Sequence, residues 1–455
     1  MKRRVRILAY SFIFLALILL TQRGLKYILM DDVDSYTRVM LHELYHSPEN
    51  IDVLFTGSSH CYRGVDPRVV DEELGVNSFN AGSSSQSIDG SLAMIREAAK
   101  HHNLKRIFLE VEFNTCLEIP FHDRSQLTST YILTEYMPFS PDKLKYMLRA
   151  SSIEKYPNTF LPLGKYKGMT EEIRRIPDIL ERKQSEEYRN YGYVNNSIER
   201  YYGKGYVGSE IRMDGTGFVS GEPYCELNLH NFSKDWRRTI HVIGDFCRDR
   251  GIELAFFCAP TTDFQLVGVE NYDEFRRRFR ELTSDIGAEW YDFNLCRSEY
   301  LPLSDADFMD DNHINQYGAE KFSRLLGRFL AGGIKEEELF YDSYAEKREK
   351  EGEGIFGIIA QEDREAHAFS LSAVSDAPDN RLSYEVFTLP EGEEKPVRCR
   401  DRGPEQTVSY PEGESGTLII DVYLEGKEEP YRGCTLYGGA SQESLRLLDE
   451  DVEED

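Results

Sequence analysis

The sequence has eight cysteines but no CxxC pair and no regular spacing among them, so neither a disulfide framework nor a metal site finds support. Cys247 and Cys258 fall in segments that read as a core helix and a buried strand, where a thiol serves as a small hydrophobe. Cys399 with Cys434 is the one pair to consider. Basic charge is also scarce: 54 Lys and Arg against 80 Asp and Glu leave −26. A nucleic-acid partner needs a basic face, and this balance argues against one. The deficit is uneven. From Tyr341 onward 12 basic residues face 29 acidic ones, a charge of −17, which leaves −9 for the first 340 residues.

Long apolar runs are lacking as well, with one exception. Lys2, Arg3, Arg4 and Arg6 precede an almost unbroken apolar stretch from Ile7 to Leu20. Fourteen residues suit a signal-peptide core, yet with Val5, Thr21 and Gln22 the helix just crosses a bilayer, Arg6 snorkelling to the interface. No small-x-small cleavage site follows Leu20, which favours an uncleaved signal anchor over a cleaved signal. Four basic residues before the run against Arg23 and Lys26 after it put the N-terminus in the cytoplasm and the rest outside.

What is present is globular. At 455 residues, 40% hydrophobic and 12% aromatic, the chain can hold two or three cores. From Ile51 short apolar runs alternate with helical stretches, the pattern of an α/β layer fold on a parallel sheet. "IDVLFTG", "VNSFN", "LKRIFLEVEF", "IELAFFCAP" and "AEWYDF" read as its strands. In the third, Ile107, Leu109, Val111 and Phe113 alternate toward one layer. Asp66 caps a short helix that starts at Pro67 and stops at Gly75, and a last helix runs from Gln316 to Leu330. The rhythm fails between about 115 and 231, a tyrosine- and charge-rich insertion. Its tyrosines read as amphipathic packing and surface, with stacking on sugars as the alternative. After Gly333 the character changes to a small acidic β domain, about 340–455, with strands at "AFSLSAV", "RLSYEVFTL" and "TLIIDVYLEG".

In open α/β sheets, ligands bind beyond the carboxyl ends of the strands. Ser58 and Ser59 stand at the end of the first strand, and "DDNHIN" follows the fifth. A serine hydroxyl becomes nucleophilic when a histidine accepts its proton and a carboxylate fixes that histidine's tautomer. Asp310 and His313, three apart on one loop, can make such a pair. Candidate donors for an oxyanion are the N–H of Ser59, the N–H of Gly82 and the side-chain amide of Asn114. His60 reads as structural or substrate-lining. Glu110 and Glu112 are expected at a covered rim, outside the chemistry.

Gly57-Ser58-Ser59, Gly82, Asn114 and Asp310-x-x-His313 follow the four-block order of the SGNH (GDSL-like) hydrolase superfamily, which the chain resembles over about 50–115 and 235–330. "TGSSH" and "FMDDNHINQYGAEKF" look most like its membrane-anchored, extracytoplasmic branch, which includes the D-alanyl transfer protein of teichoic acid synthesis and alginate-type O-acetyltransferases. Two blocks depart from the pattern: Ser58 replaces the usual aspartate, and "VEFN" stands where Gly-x-Asn-Asp is usual.

The resemblance implies a three-layer, flavodoxin-like fold with Ser59, rather than Ser58, as nucleophile and His313 and Asp310 completing the triad. It implies acyl transfer through acyl-Ser59 to a cell-envelope polysaccharide or teichoic-acid-like polymer, without metal or cofactor. A polytopic membrane O-acyltransferase is the implied donor partner. A carbohydrate esterase with the same residues and a non-catalytic polysaccharide-binding scaffold stand as alternatives.

Overall fold

The structure, a computed structural model, describes residues 2–116, 127–151, 153–161, 172–192, 195–213, 217–222, 232–269, 271–393 and 395–440. Five parallel strands form the central sheet: β1 (Val53–Thr56), β2 (Ser78–Asn80), β3 (Arg106–Glu110), β4 (Glu253–Cys258) and β5 (Glu289–Asp292). Their spatial order, β2-β1-β3-β4-β5, is the flavodoxin-like order of a doubly wound sheet. The order reverses beside β1, so the loops after β1 and β3 open a crevice at the carboxyl edge.

Strand alternation sends side chains to both faces, and both are covered. Leu54, Ile107, Leu109, Leu254 and Phe256 join one core with α2 (Tyr36–His46), α5 (Ile88–His101), α6 (Lys234–Arg250) and α7 (Tyr272–Asp285). Val53, Phe55, Phe108, Ala255 and Phe257 join the other with α3 (Ser59–Gly64), α4 (Pro67–Leu74) and α8 (Gln316–Leu330). Val111 and Phe113 continue the face of Ile107 and Leu109, as their spacing predicts. Asp66 caps α4 by accepting from the Arg68 N–H, and Gly75 ends it in the left-handed region at φ 69°.

The insertion is fastened to this body. Its hairpin, Arg200–Gly203 with Tyr206–Gly208, brings Gly205 so near the Asn80 carbonyl that a Cβ there would meet the oxygen at 1.7 Å. Tyr201 donates to Glu43 at 2.5 Å, and Tyr206 is buried. Residues Val219–Ser220 leave the insertion to pair, in parallel, with the strand Ile355–Asp363. The C-terminal region is therefore two four-stranded sheets, one of which borrows an edge strand from mid-chain.

The three strands expected in that region lie at Ala368–Ser375, Leu382–Pro390 and Gly416–Leu424. Partners such as Val397–Gly403 are mostly exposed and charged, and so carried no apolar signature. Neither Cys399 nor Cys434 is in a disulfide. They lie on the two edge strands of one sheet with two strands between them, three spacings or roughly 14 Å, too far for a disulfide.

At the other end, α1 (Lys2–Leu29) is one unbroken helix. The stretch Arg3–Leu29 is long and apolar enough to cross a membrane, and its apolar eighteen-residue window has mean hydropathy 2.0 and lies unburied.

Candidate active site

β1 ends at Thr56, and the chain must turn at once beneath β3. Gly57 makes that passage possible: a Cβ there would stand 2.6 Å from both Cβ and Oε2 of Glu110. Ser58 then caps α3, its Oγ accepting from the His60 N–H at 3.2 Å. Ser59 is the first helical residue, and its Oγ lies 2.8 Å from Nε2 of His313, 254 residues later in the chain. That contact joins the first strand end to the loop beyond the fifth.

The late loop is built to hold the imidazole. Asp310 Oδ1 accepts from the backbone N–H of Asn312 (2.9 Å) and of His313 (2.7 Å). Both Asp310 carboxylate oxygens lie 3.0 Å from His313 Nδ1. A proton on Nδ1 therefore faces the carboxylate, and Nε2 is left as acceptor for the Ser59 hydroxyl. Burial pushes the Asp310 carboxyl up. The hydrogen bonds and charge of His313, with the two backbone N–H groups, outweigh it and hold the group below its ordinary value.

Asn315, fully buried, fastens the loop's exit. Its Oδ1 caps α8 through the N–H groups of Tyr317 and Gly318, and its Nδ2 donates to the carbonyls of Ala306 (2.7 Å) and Ile211 (3.0 Å). Asp311 faces away and accepts from Gln265 at 2.8 Å.

The oxyanion donors fare unequally. The Ser59 N–H opens α3 and has no intrahelical acceptor, so it points outward at the strand end. The N–H of Gly82 donates to Asn80 Oδ1 at 3.0 Å, while the Asn80 Nδ2 donates to the carbonyls of Cys61 (2.8 Å), in α3, and of the following Val65 (2.9 Å). In this structure the Gly82 donor is engaged by Asn80. Asn114 lies in the 3-10 turn Phe113–Cys116, and its side chain lies outside the described residues.

Glu110 also departs from expectation. It is 3% exposed and lies under the nucleophile loop, its Oε2 accepting from the Ser58 N–H and the Ser58 hydroxyl, each at 2.8 Å. Burial, with some repulsion from Glu112, raises its carboxyl to about 8, against the hydrogen bonds from Ser58. His60 is buried behind the site, its ring 4.8 Å from that of His313. Its Nε2 is 3.7 Å from Glu112 Oε1. Burial, and then His313, lower it to about 3, so it stays neutral and is structural.

A cleft of about 710 Å³ opens over Ser59 and His313, walled by Ser87, Glu112, Arg149, Trp236 and Arg238 among others. Arg149, from the insertion helix Pro141–Arg149, is held there by Asp89 (3.1 Å) and Thr239 (2.8 Å). Among the described residues that line it there is no tyrosine and none later in the chain than His313. Among the described residues no group of three or more His, Cys, Asp or Glu is placed to hold a metal.

No family model and no curated protein gives a significant match to this chain. Solved structures similar to it include a provisionally assigned platelet activating factor from Streptococcus pneumonia. The identity is 12% and the TM-score 0.29, over 71% of this chain and 98% of that one. A provisionally assigned acylhydrolase from Bacteroides fragilis NCTC 9343 is 7% identical, TM-score 0.29, over 65% of this chain and 95% of that one. Likeness at this level carries no argument about activity.

Proposed function

We propose that this chain is a membrane-anchored serine acyl-transfer enzyme of SGNH type. It would act outside the cytoplasmic membrane on a cell-envelope polysaccharide or a teichoic-acid-like polymer. The carrying observation is the contact of Ser59 Oγ with His313 Nε2, backed by Asp310 on Nδ1. Ser59 Oγ adds to an ester carbonyl as His313 Nε2 takes its proton, and Asp310 steadies the imidazolium. The Ser59 N–H faces the new oxyanion. The carbonyl then re-forms, the C–O bond to the leaving alcohol breaks, and His313 returns the proton to that oxygen. A polymer hydroxyl attacks acyl-Ser59 by the same steps in reverse.

α1 supports the anchored reading, with the N-terminus in the cytoplasm and a membrane acyl donor, such as a polytopic O-acyltransferase, within reach. Among the described residues, none from the acidic C-terminal region lines the cleft. One observation favours esterase chemistry as a second reading: the cleft over Ser59 is open, so water can also serve as the acceptor.

A fluorophosphonate probe tests the nucleophile. The wild-type chain should label and Ser59→Ala should not; equal labelling overturns Ser59 as the nucleophile, and no labelling in either leaves a non-catalytic scaffold. Acetate counted with and without a polymer acceptor then separates transferase from esterase.

A further inference from the structure

The end of α1 that leaves the bilayer is clamped to the insertion. Val5 to Gln22 is eighteen residues, which rise about 27 Å against a hydrocarbon core of about 30 Å, so the helix leaves the lipid near Gln22. Lys26 follows one turn later, about 6 Å on, at the level of the interface.

Lys26 is fixed to the insertion: its Nζ is 2.9 Å from Glu135 Oε2 and 5.7 Å from the ring centre of Tyr136. Further clamps follow. Lys183, its side chain 1% exposed, lies 2.9 Å from Asp32 Oδ1 and donates to the Tyr27 carbonyl, also at 2.9 Å, and to that of Met30. Arg175 pairs with Asp31 at 2.9 Å, and Arg182 with Asp34 at 2.5 Å. The end of α1 and this part of the insertion are thereby tied together, so the helix cannot sink without the insertion.

The insertion meets the lipid with apolar side chains. Phe139 is 85% exposed and three residues from Tyr136, hence within about 11 Å of it. Ile173 is 58% exposed and two residues from Arg175. Exposed Lys145, Arg174 and Arg175 flank them, cations that suit anionic headgroups.

We infer that the insertion face carrying Phe139 and Ile173 rests in the interface of the bilayer that α1 crosses. It thereby seats the cleft at the membrane surface. The helix that follows Phe139, Pro141–Arg149, ends on the cleft-lining Arg149 and shows Leu144 and Leu148 to the outside. One short helix thus joins the lipid-facing side to the cleft. The inference rests on α1 being a membrane anchor. Lipid is the occupant favoured over a protein because α1 itself fixes where the bilayer lies.

The test uses the full chain, one copy per lipid nanodisc, in dioleoylphosphatidylcholine with phosphatidylglycerol, acyl chains brominated or not. Trp236 and Trp290 are buried and supply a constant background. Single tryptophans are introduced by Phe139→Trp, Ile173→Trp, Phe12→Trp within α1 and Val397→Trp on the distant β region. Brominated lipid should cut the added emission of Phe139→Trp and Ile173→Trp about twofold or more, and leave Val397→Trp unchanged. If Phe12→Trp is quenched while Phe139→Trp behaves like Val397→Trp, the seating is wrong, the anchor stands, and a protein partner becomes the occupant of that face. If Phe12→Trp is also unquenched, the anchor reading falls and takes the seating with it.

Discussion

Asp310 and Glu110 both serve the loops that carry the reacting pair, yet their surroundings drive them apart. Asp310, its side chain 42% exposed, accepts from two backbone N–H groups and faces His313, and so stays ionised. Glu110, at the end of β3, lies under the Ser58–Ser59 turn and accepts from Ser58, and burial keeps it protonated to about 8. On the proposed reading, one carboxylate is held charged where a positive imidazolium would form, and the other is kept neutral where an ionised group would oppose the oxyanion. Separation of two carboxyls by environment is how one site assigns them different work.

The adjacent serines give the widest contrast. Ser59→Ala should lower turnover about ten-thousandfold or more. Ser58→Ala should keep probe labelling and lose roughly 1–3 kcal/mol of stability in urea unfolding, because Glu110 loses a buried donor. Equal loss of labelling in both would erase the division of labour.

Asp310→Asn comes next. It should lower kcat by about a hundred- to ten-thousandfold with the fold intact, since an amide can hold the wrong His313 tautomer. Steady-state kinetics with a small aryl ester would show it, and an unchanged kcat would remove Asp310 from the triad.

Glu110 predicts a pH effect on stability. Its folded value lies near 8, above the unfolded 4.5, so the unfolded chain releases this proton first. The stabilisation is complete below about pH 4.5 and is lost as pH rises through 8, on the order of 4–5 kcal/mol at most. Glu110→Gln keeps an acceptor for Ser58 and removes the titration, so its urea midpoint should decline less over that window. Parallel decline in both proteins would show that Glu110 does not titrate there.

The smallest effect is expected at acid pH. Asp310 is held below its ordinary value, so its contribution is present above pH 3.8 and lost as pH falls through the folded value. Its exposure lets solvent screen most of that, and wild type and Asp310→Asn should differ little in acid unfolding between pH 6 and 3.

Much of this site could be read along the chain. Strand periodicity and the stop at Gly75 mark the α/β body, and Ser59 stands at the end of β1. Asp310 and His313 announce themselves because their partnership is local, closed within one loop. Glu110 was hidden: its partner Ser58 is 52 residues away, and alternation along a strand covered on both faces does not reveal which carboxyl is sealed in. The engagement of the Gly82 N–H by Asn80 was equally invisible, since it depends on the side chain of Asn80 bending back toward α3.

The sequence by itself determined what is periodic or short-range: a parallel α/β sheet, an apolar N-terminal helix, a serine at a strand end, and a carboxylate three residues before a histidine. Tertiary structure alone decided which groups meet across long separations, and hence which carboxyl is charged, which N–H remains free and where the insertion's apolar side chains emerge. The physical reason is that burial and hydrogen-bond partnership belong to places in space, which neighbours along a chain specify only when the contact closes within a turn.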